Sequence, residues 1–301
     1  MNMLRPRLLL LACFVFHHSL WGYLLFWTDD TDGTVSRYDT SDDSVTTIVS
    51  SLTSPAGVDV DEVNSRIFFG HNAGFSRTSF DGSNRVNFGG SQTPYGVKLD
   101  DTPTYLYFAN SFNSVKRIRI SDSSLETLFT SNANGVSDVA IDDSGDLLYW
   151  VSRNTGEVAR GDETGSGSPT VLFDRPTDTV NFVEIDVAAG LIFWTEASGS
   201  EIYKANLDGT GTPAVIRDLG AGAQTAGLAL VTADEVVFVA DSANGNIYRM
   251  DYNGNNINTV VTGLSEPTGL AYIPESEYYA VLIGLVALGV VIARRRFSEG
   301  R

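Results

Sequence analysis

The chain has 301 residues, 37 acidic against 20 basic side chains, and a formal charge of −17. That balance excludes a nucleic-acid partner, which needs a basic face, and a hydrophobic share of 43% is too high for general disorder. One Cys and three His leave little room for thiol or imidazole chemistry.

Residues 1–22 place Arg5 and Arg7 ahead of an apolar run from Leu8 to Phe16, followed by "HHSLWG". Basic, then apolar, then polar is the order of a secretory signal peptide. Gly22 is a small residue at its end, whereas Leu20 fits a cleavage site poorly. "LLAC" ending at Cys13 offers a lipoprotein box instead, with only a short apolar lead. Cys13, His17 and His18 all fall in this leader, so residues 23–273 hold no Cys and His71 alone. That domain has no disulfides and relies on packing. It carries no Asn-x-Ser/Thr sequon, in keeping with a bacterial source.

Six repeats come after the leader. An aromatic motif opens with "FWTD" (26–29) and recurs as "FFGH" (68–71), "YFAN" (107–110), "YWVS" (149–152), "FWTE" (193–196) and "FVAD" (238–241). Measured at the second position, the steps are 42, 39, 42, 44 and 45 residues. Each motif is followed by an apolar residue, any residue, and a base: "VSR" (35–37), "FSR" (75–77), "VKR" (115–117), "VAR" (158–160), "IYK" (202–204) and "IYR" (247–249). Turn sequences come next, clearest in "FDGSN" (80–84), "LDGTG" (207–211) and "YNGNN" (252–256). Asp-Gly and Asn-Gly tolerate the positive φ of tight turns. A short β-like run, such as "PAGVDVD" or "PTGLAYI", ends each repeat.

Each unit therefore reads as four short strands, and six units of this length predict an all-β, six-bladed propeller of four-stranded blades. Adjacent aromatics point to opposite faces of a strand, which suits a blade covered on both sides. The first repeat lacks an innermost strand before "YLLFWTD", and the run 267–273 lacks strands after it. These two fragments are predicted to form one closing blade. A β-sandwich, the competing fold, gives no reason for six equal repeats.

On "FWTD", "YWVS", "FWTE", the I-Y-K/R element and "LDGTG", the chain resembles the low-density-lipoprotein-receptor class B family of YWTD-repeat propellers over nearly all of 23–273. The family's Cys-rich growth-factor-like modules do not occur here, so a role in endocytosis is not carried over. The resemblance implies that the motif residues are architectural: Trp27, Asp29, Arg37, Arg77, Arg117, Trp150, Arg160, Trp194, Glu196, Lys204, Asp241 and Arg249. Asp29, Glu196 and Asp241 are expected to accept bonds from turn backbone or to pair with Arg37, Lys204 and Arg249 across the hairpin. Arg77, Arg117 and Arg160 persist where the acid is His71, Asn110 or Ser152. The shared task of the bases is therefore expected to be stem packing between blades or bonding to carbonyls.

A functional site is expected at the central channel or on one propeller face. Aligned innermost strands bring Asp59, Lys98, Ala140, Glu184, Ala229 and Ala271 to one equivalent position, with Asp59, Lys98 and Glu184 as the channel candidates. Asp61, Asp100, Asp142 and Asp186 form a second partial ring, read either as a solvated acidic rim or as oxygen ligands for Ca²⁺. With His71 alone, Ser-His and Cys-His nucleophiles are excluded unless that residue serves, and a His- or Cys-rich zinc site is excluded as well. Carboxylate chemistry with Ca²⁺ survives, as in propellers similar to gluconolactonase. Asp59 and Glu184 match two of that site's three residues, and no Asn is placed.

At the C-terminus, Tyr278 to Ala293 is sixteen uncharged residues followed by Arg294, Arg295 and Arg296. As a helix this run spans about 24 Å at about 1.5 Å per residue, short for a hydrocarbon core of about 30 Å, with the Arg cluster held cytoplasmic. Pro-Glu at 274–275, the short apolar run and the Arg cluster together resemble the PEP-CTERM sorting tail cut by an exosortase, departing from it at Ser276. A plain single-span anchor is the other reading. The expected layout is a signal peptide (1–22), a propeller (23–273) and a sorting or transmembrane tail (274–301). The expected function is that of a non-enzymatic, monomeric binding module outside the cytoplasm, secreted or held at the cell surface, in a bacterial envelope or extracellular matrix. Its partner would be a surface protein or polysaccharide, with no cofactor and with membrane contact through the tail. The alternative is a Ca²⁺-dependent hydrolase or lyase of small sugars or lactones.

Overall fold

The structure, a computed structural model, describes residues 22–110, 113–130, 135–175, 179–196 and 198–274. The expected leader and the hydrophobic C-terminal helix lie outside those residues, apart from their innermost ends. Leu24 to Ile273 form one compact unit. Among the described residues the only helical segment is the 3₁₀ turn Thr232–Asp234, and no helix is long and apolar enough to cross a membrane.

Six four-stranded antiparallel sheets make six blades. The first combines Pro267–Pro274 with Tyr23–Asp29, Thr34–Asp39 and Ser44–Val49, so the end of the domain supplies the innermost strand of the blade that its start begins. The second holds Val58–Asp61, Arg66–His71, Gly74–Ser79 and Val86–Phe88. The third holds Pro94–Leu99, Tyr105–Asn110, Ser114–Arg119 and Leu125–Thr130. Val136–Asp142, Leu147–Ser152, Glu157–Asp162 and Thr170–Asp174 build the fourth. Val180–Asp186, Leu191–Glu196, Glu201–Asn206 and Ala214–Asp218 build the fifth. The sixth is Thr225–Val231, Val236–Asp241, Asn246–Asp251 and Asn258–Val261.

The motif aromatics lie on the second strand and bury both faces of a blade. The first of each pair meets the following blade: Phe26 lies 5.1 Å from Phe80 and Phe193 lies 4.6 Å from Tyr252. The second meets the preceding blade, as Trp150 stacks on Phe129 at 4.8 Å and Trp194 on Phe173 at 5.6 Å. Trp27 and Trp194 are fully buried, and at roughly 25 cal/mol per Å² of apolar area such rings dominate the cohesion between blades.

Register disfavours one of the two expected roles of the motif acids, pairing with the motif bases. The base sits opposite the first aromatic in all six blades: Phe26 to Arg37, Phe68 to Arg77, Tyr107 to Arg117, Tyr149 to Arg160, Phe193 to Lys204 and Phe238 to Arg249. Asp29 and Asp241 are three residues further along, opposite Thr34 and Asn246. Three of the bases reach the next blade's outer turn instead. Arg37 donates to the carbonyl of Phe80 (3.4 Å), Arg117 to that of Glu163 (3.3 Å) and Lys204 to that of Tyr252 (2.9 Å). The acid that Arg117 does pair with is Glu126 on the outer strand, at 2.7 Å.

Two of the motif acids, Asp29 and Asp241, cap backbone. Asp29 accepts from the amides of Asp32 (3.0 Å), Ser265 (3.0 Å) and Glu266 (3.1 Å), fastening the two ends of the domain together. Asp241 accepts from the amides of Gln224 (3.0 Å) and Asn244 (3.2 Å). At the other face, every turn between the third and fourth strands has an Asp accepting from the amide two residues on. These are Asp39, Asp81, Asp122, Asp162, Asp208 and Asp251.

The motif threonines join neighbouring blades. Thr195 accepts from the amide of Phe182 (3.2 Å) and donates to the carbonyl of Ala226 in the sixth blade (2.9 Å). Thr28 likewise donates to Ala56 of the second blade and accepts from the amide of Gly269 (2.9 Å). Thr195 is fully buried, and removing its hydroxyl leaves two buried groups unpaired, a cost of roughly 1–3 kcal/mol each. Thr195→Val should therefore lower the thermal midpoint by several degrees while Thr195→Ser, which keeps the hydroxyl, retains most of it. Equal losses for the two, read by calorimetry, would show that the hydroxyl is not what matters.

Candidate functional site

Around the axis the innermost strands of four blades come into backbone contact through glycines. Gly57, Gly96, Gly227 and Gly269 hold equivalent positions, two residues before Asp59, Lys98, Ala229 and Ala271. A Cβ on Gly57 would fall 2.8 Å from the Cα of Gly96, and one on Gly269 would fall 2.9 Å from the Cα of Gly57. One on Gly227 would overlap the carbonyl of Thr268. Strands this close need glycine. In the fourth blade the equivalent residue is Asp138, whose Oδ1 fills the space a Cβ on Gly96 would take. Its Oδ2 accepts from the amide of Val183 in the fifth blade at 2.9 Å. Burial pushes the Asp138 carboxyl well up, against those backbone bonds.

One layer deeper, the expected equivalence of the channel residues appears in the register. Asp59, Lys98, Ala140, Glu184 and Ala229 each pair with the first aromatic of their blade. Three of them meet. Lys98 Nζ lies 2.7 Å and 3.0 Å from the two Glu184 oxygens, with the small Ala140 on the intervening blade, and 4.0 Å from Asp59 Oδ1. The other Asp59 oxygen accepts from the amide of Leu99 at 2.7 Å. Burial disfavours the Lys98 ammonium, but Glu184 and Asp59 outweigh it and hold its pKa above the usual lysine value. Burial likewise pushes Glu184 up against the pull of Lys98. An ammonium thus stands between the two channel carboxylates.

The second partial ring serves hairpin turns. Asp61, Asp100, Asp142 and Asp186 accept from the amides of Asn64 (3.0 Å), Thr104 (2.7 Å), Gly145 (3.0 Å) and Ala189 (2.9 Å). Asp61 also pairs with Arg66 at 2.8 Å, and Asp186 accepts from Tyr252 Oη at 3.1 Å. Among the described residues no group of three His, Cys, Asp or Glu side chains is arranged to hold a metal ion.

His71 is buried in a chain of bonds. The amide of Ala73 donates to Nδ1 (3.2 Å), so Nε2 carries the proton and donates to Ser76 Oγ (2.9 Å), which donates to Asn87 Oδ1 (2.6 Å). Burial and the nearby Arg85 lower its pKa. Ser76 is itself fully buried and gives its proton away from the imidazole, so the pair is not built as a nucleophile and base.

The feature that sequence reasoning missed lies above the glycine ring. A funnel of about 520 Å³ opens on the face carrying the loops that lead into the innermost strands, and all six blades line it. Its size is that of a ligand pocket, typically about 300–1,000 Å³. Asp30 and Glu266 of the first blade stand on one wall and Arg153 of the fourth stands across the axis. Asn72, Asn181 and Gln224 add amide groups, and Tyr95, 40% exposed, stands at the mouth. Burial, then the adjacent Glu266, raise the Asp30 carboxyl. The sequence signal was the position directly after each aromatic motif, held by Asp30, Asn72, Arg153 and Ser242, together with the loop before each innermost strand.

No family model matches the chain, and no curated protein matches it in sequence. Solved structures share its fold. The propeller in a nidogen/laminin complex superposes with a TM-score of 0.69 at 14% identity, over 83% of this chain and 98% of that one. TolB from Acinetobacter baumannii gives 0.65 at 13% identity, over 83% of this chain and 66% of that one. Hydrazine synthase of Kuenenia stuttgartiensis gives 0.60 at 13% identity, over 75% and 72%.

The ion cluster and the histidine each carry a test. Lys98→Met leaves the partly buried Glu184 without its ammonium partner and should cost roughly 1–3 kcal/mol in denaturant unfolding. Adding Glu184→Gln should recover much of that loss, and additive losses in the double variant would rule out coupling. For His71, the folded pKa lies below the unfolded value of 6.5, so the unfolded chain takes up the proton first. Stability from this site is complete above about pH 6.5 and is lost as pH falls below it. His71→Gln should flatten that part of the pH profile between pH 8 and 5, whereas parallel profiles for the two proteins would contradict the assignment.

Proposed function

We propose that this protein is a YWTD-type propeller acting as a non-catalytic binding module outside the cytoplasm, and that the funnel is its ligand seat. The observation that carries this reading is the division of labour along the axis. The carboxylates of the neck and channel are committed to Lys98, to backbone amides or to turns, while the funnel above presents polar side chains drawn from all six blades. The chemistry of a Ca²⁺-dependent hydrolase would need Asp59 and Glu184 free to ligate an ion, and Lys98 already occupies the position between them. The fold likeness to a propeller solved in a nidogen/laminin complex supports a role in protein interaction at the level of architecture. A partner held at the cell surface or in the matrix fits a leader and a tail of the kinds the sequence carries.

The test compares the two faces. Tyr95→Glu alters the funnel mouth, whereas Val63→Glu alters an exposed residue on the turn after an innermost strand, at the opposite face. Retention of the purified protein on envelope and matrix from its own cells should fall about tenfold for Tyr95→Glu and stay unchanged for Val63→Glu. Turnover of lactones or sugar lactones that requires Ca²⁺ and disappears in Glu184→Gln would replace this reading with the enzymatic one.

A further inference from the structure

The charges of the funnel are segregated. Asp30 and Glu266 come from the same blade and are held side by side, because the amide of Asp30 donates to the carbonyl of Glu266 at 3.1 Å. Both carboxyls line the funnel. Thr31 Oγ1 donates to Glu266 Oε2 at 2.7 Å, which fixes that side chain while leaving its second oxygen open. Across the axis, Arg153 sits on the fourth blade, diametrically opposite the first in a six-bladed ring. Its backbone amide is tied to the carbonyl of Gly135 (2.7 Å), yet its guanidinium has no hydrogen bond or ion pair among the described residues. The side chain of Asn181 beside it on the fifth blade is likewise without one. A guanidinium lining a pocket offers a planar fork of donors that matches a carboxylate. The floor between the two walls is weakly polar: Pro55, Ala56, Pro94, Phe182 and Ala226.

Resting on the reading of the funnel as the ligand seat, we propose that it takes a protruding protein segment bearing both signs of charge, a basic side chain between Asp30 and Glu266 and a carboxylate on Arg153. The volume admits a few side chains and not a whole protein face, so the partner contributes a loop or a chain end. Apolar floor residues, with Tyr95 at the rim, receive the stems of those side chains. An acidic polysaccharide fits less well, because its anions would gain Arg153 and meet two carboxylates on the facing wall. Neutral glycans leave all three charges unmatched.

The experiment selects binders to the full chain from a displayed library of random twelve-residue peptides, with an oligogalacturonate as the competing probe. Enriched peptides should carry a Lys or Arg and an Asp or Glu at a narrow range of spacings. Arg153→Gln should erase the acidic preference and Asp30→Asn with Glu266→Gln the basic one, each weakening a selected peptide about tenfold, with thermal unfolding confirming that the variants fold. If selected peptides lose binding with Tyr95→Glu but ignore the three charge variants, the seat stands and the charge assignment is overturned. If no ligand maps to the mouth, both readings are overturned. Binding of the oligogalacturonate that depends on Arg153 alone would overturn the peptide and put an anionic polysaccharide in its place.

Discussion

Every blade has two apolar faces, and neither can be left in water. The paired aromatics of the second strand set this constraint, since Phe26 faces one neighbour and Trp27 the other, and the same holds at Phe193 and Trp194. A row of such sheets has two uncovered ends, and closing it into a ring abolishes both. The first blade therefore has to be assembled from the two ends of the domain. Its seal is unusually polar: Asp29 gathers three amides from both sides of the junction, and Thr28 bonds to Thr268, Gly269 and the next blade at once. Directional bonds fix register where the chain offers no covalent continuity, a task that apolar contact alone performs badly.

Ring closure also dictates what the axis can do. Six innermost strands converging on one line leave room for side chains only where backbone gives way, and glycine in four blades lets the neck close. Below it, charges facing one another must neutralise or be expelled. Lys98 answers two carboxylates from other blades, so the channel is cross-braced by an ion cluster instead of being left as a pore. Turns and loops beyond the neck are free of that packing requirement, and polar side chains from all six blades line the funnel there.

The architecture was largely legible in the sequence because it is repetitive. Each marker recurs, so errors at "FFGH" or "FVAD" were corrected by the other repeats, and the shared first blade came from counting strands. The base after each aromatic was legible as a position and only partly as a role. Pairing Arg37 with Asp29 is reasonable from composition, but a three-residue offset in register separates them, and the nearest acceptor belongs to the next blade. Register across a hairpin and the identity of the neighbouring blade are not written in a spacing. The channel position was legible for the same reason the blades were, whereas the salt bridge between Lys98 and Glu184 depended on side-chain reach past Ala140. The funnel was legible only as one propeller face: Asp30, Asn72, Arg153 and Ser242 each directly follow an aromatic motif, but a spacing does not say that this end of the second strand borders the axis.

The acidic composition takes on a different meaning in this fold. Six Asp side chains cap the turns between third and fourth strands, four more cap the turns after innermost strands, and both sets lie on the face opposite the funnel. Much of the negative charge is thus a by-product of making tight turns with Asp, and it needs no cationic partner to account for it. The same face receives both ends of the domain, because Tyr23 starts a strand that runs toward the funnel and Pro274 ends one that runs away from it. The strand directions that close the ring therefore also keep both domain ends and the Asp-capped turns away from the funnel.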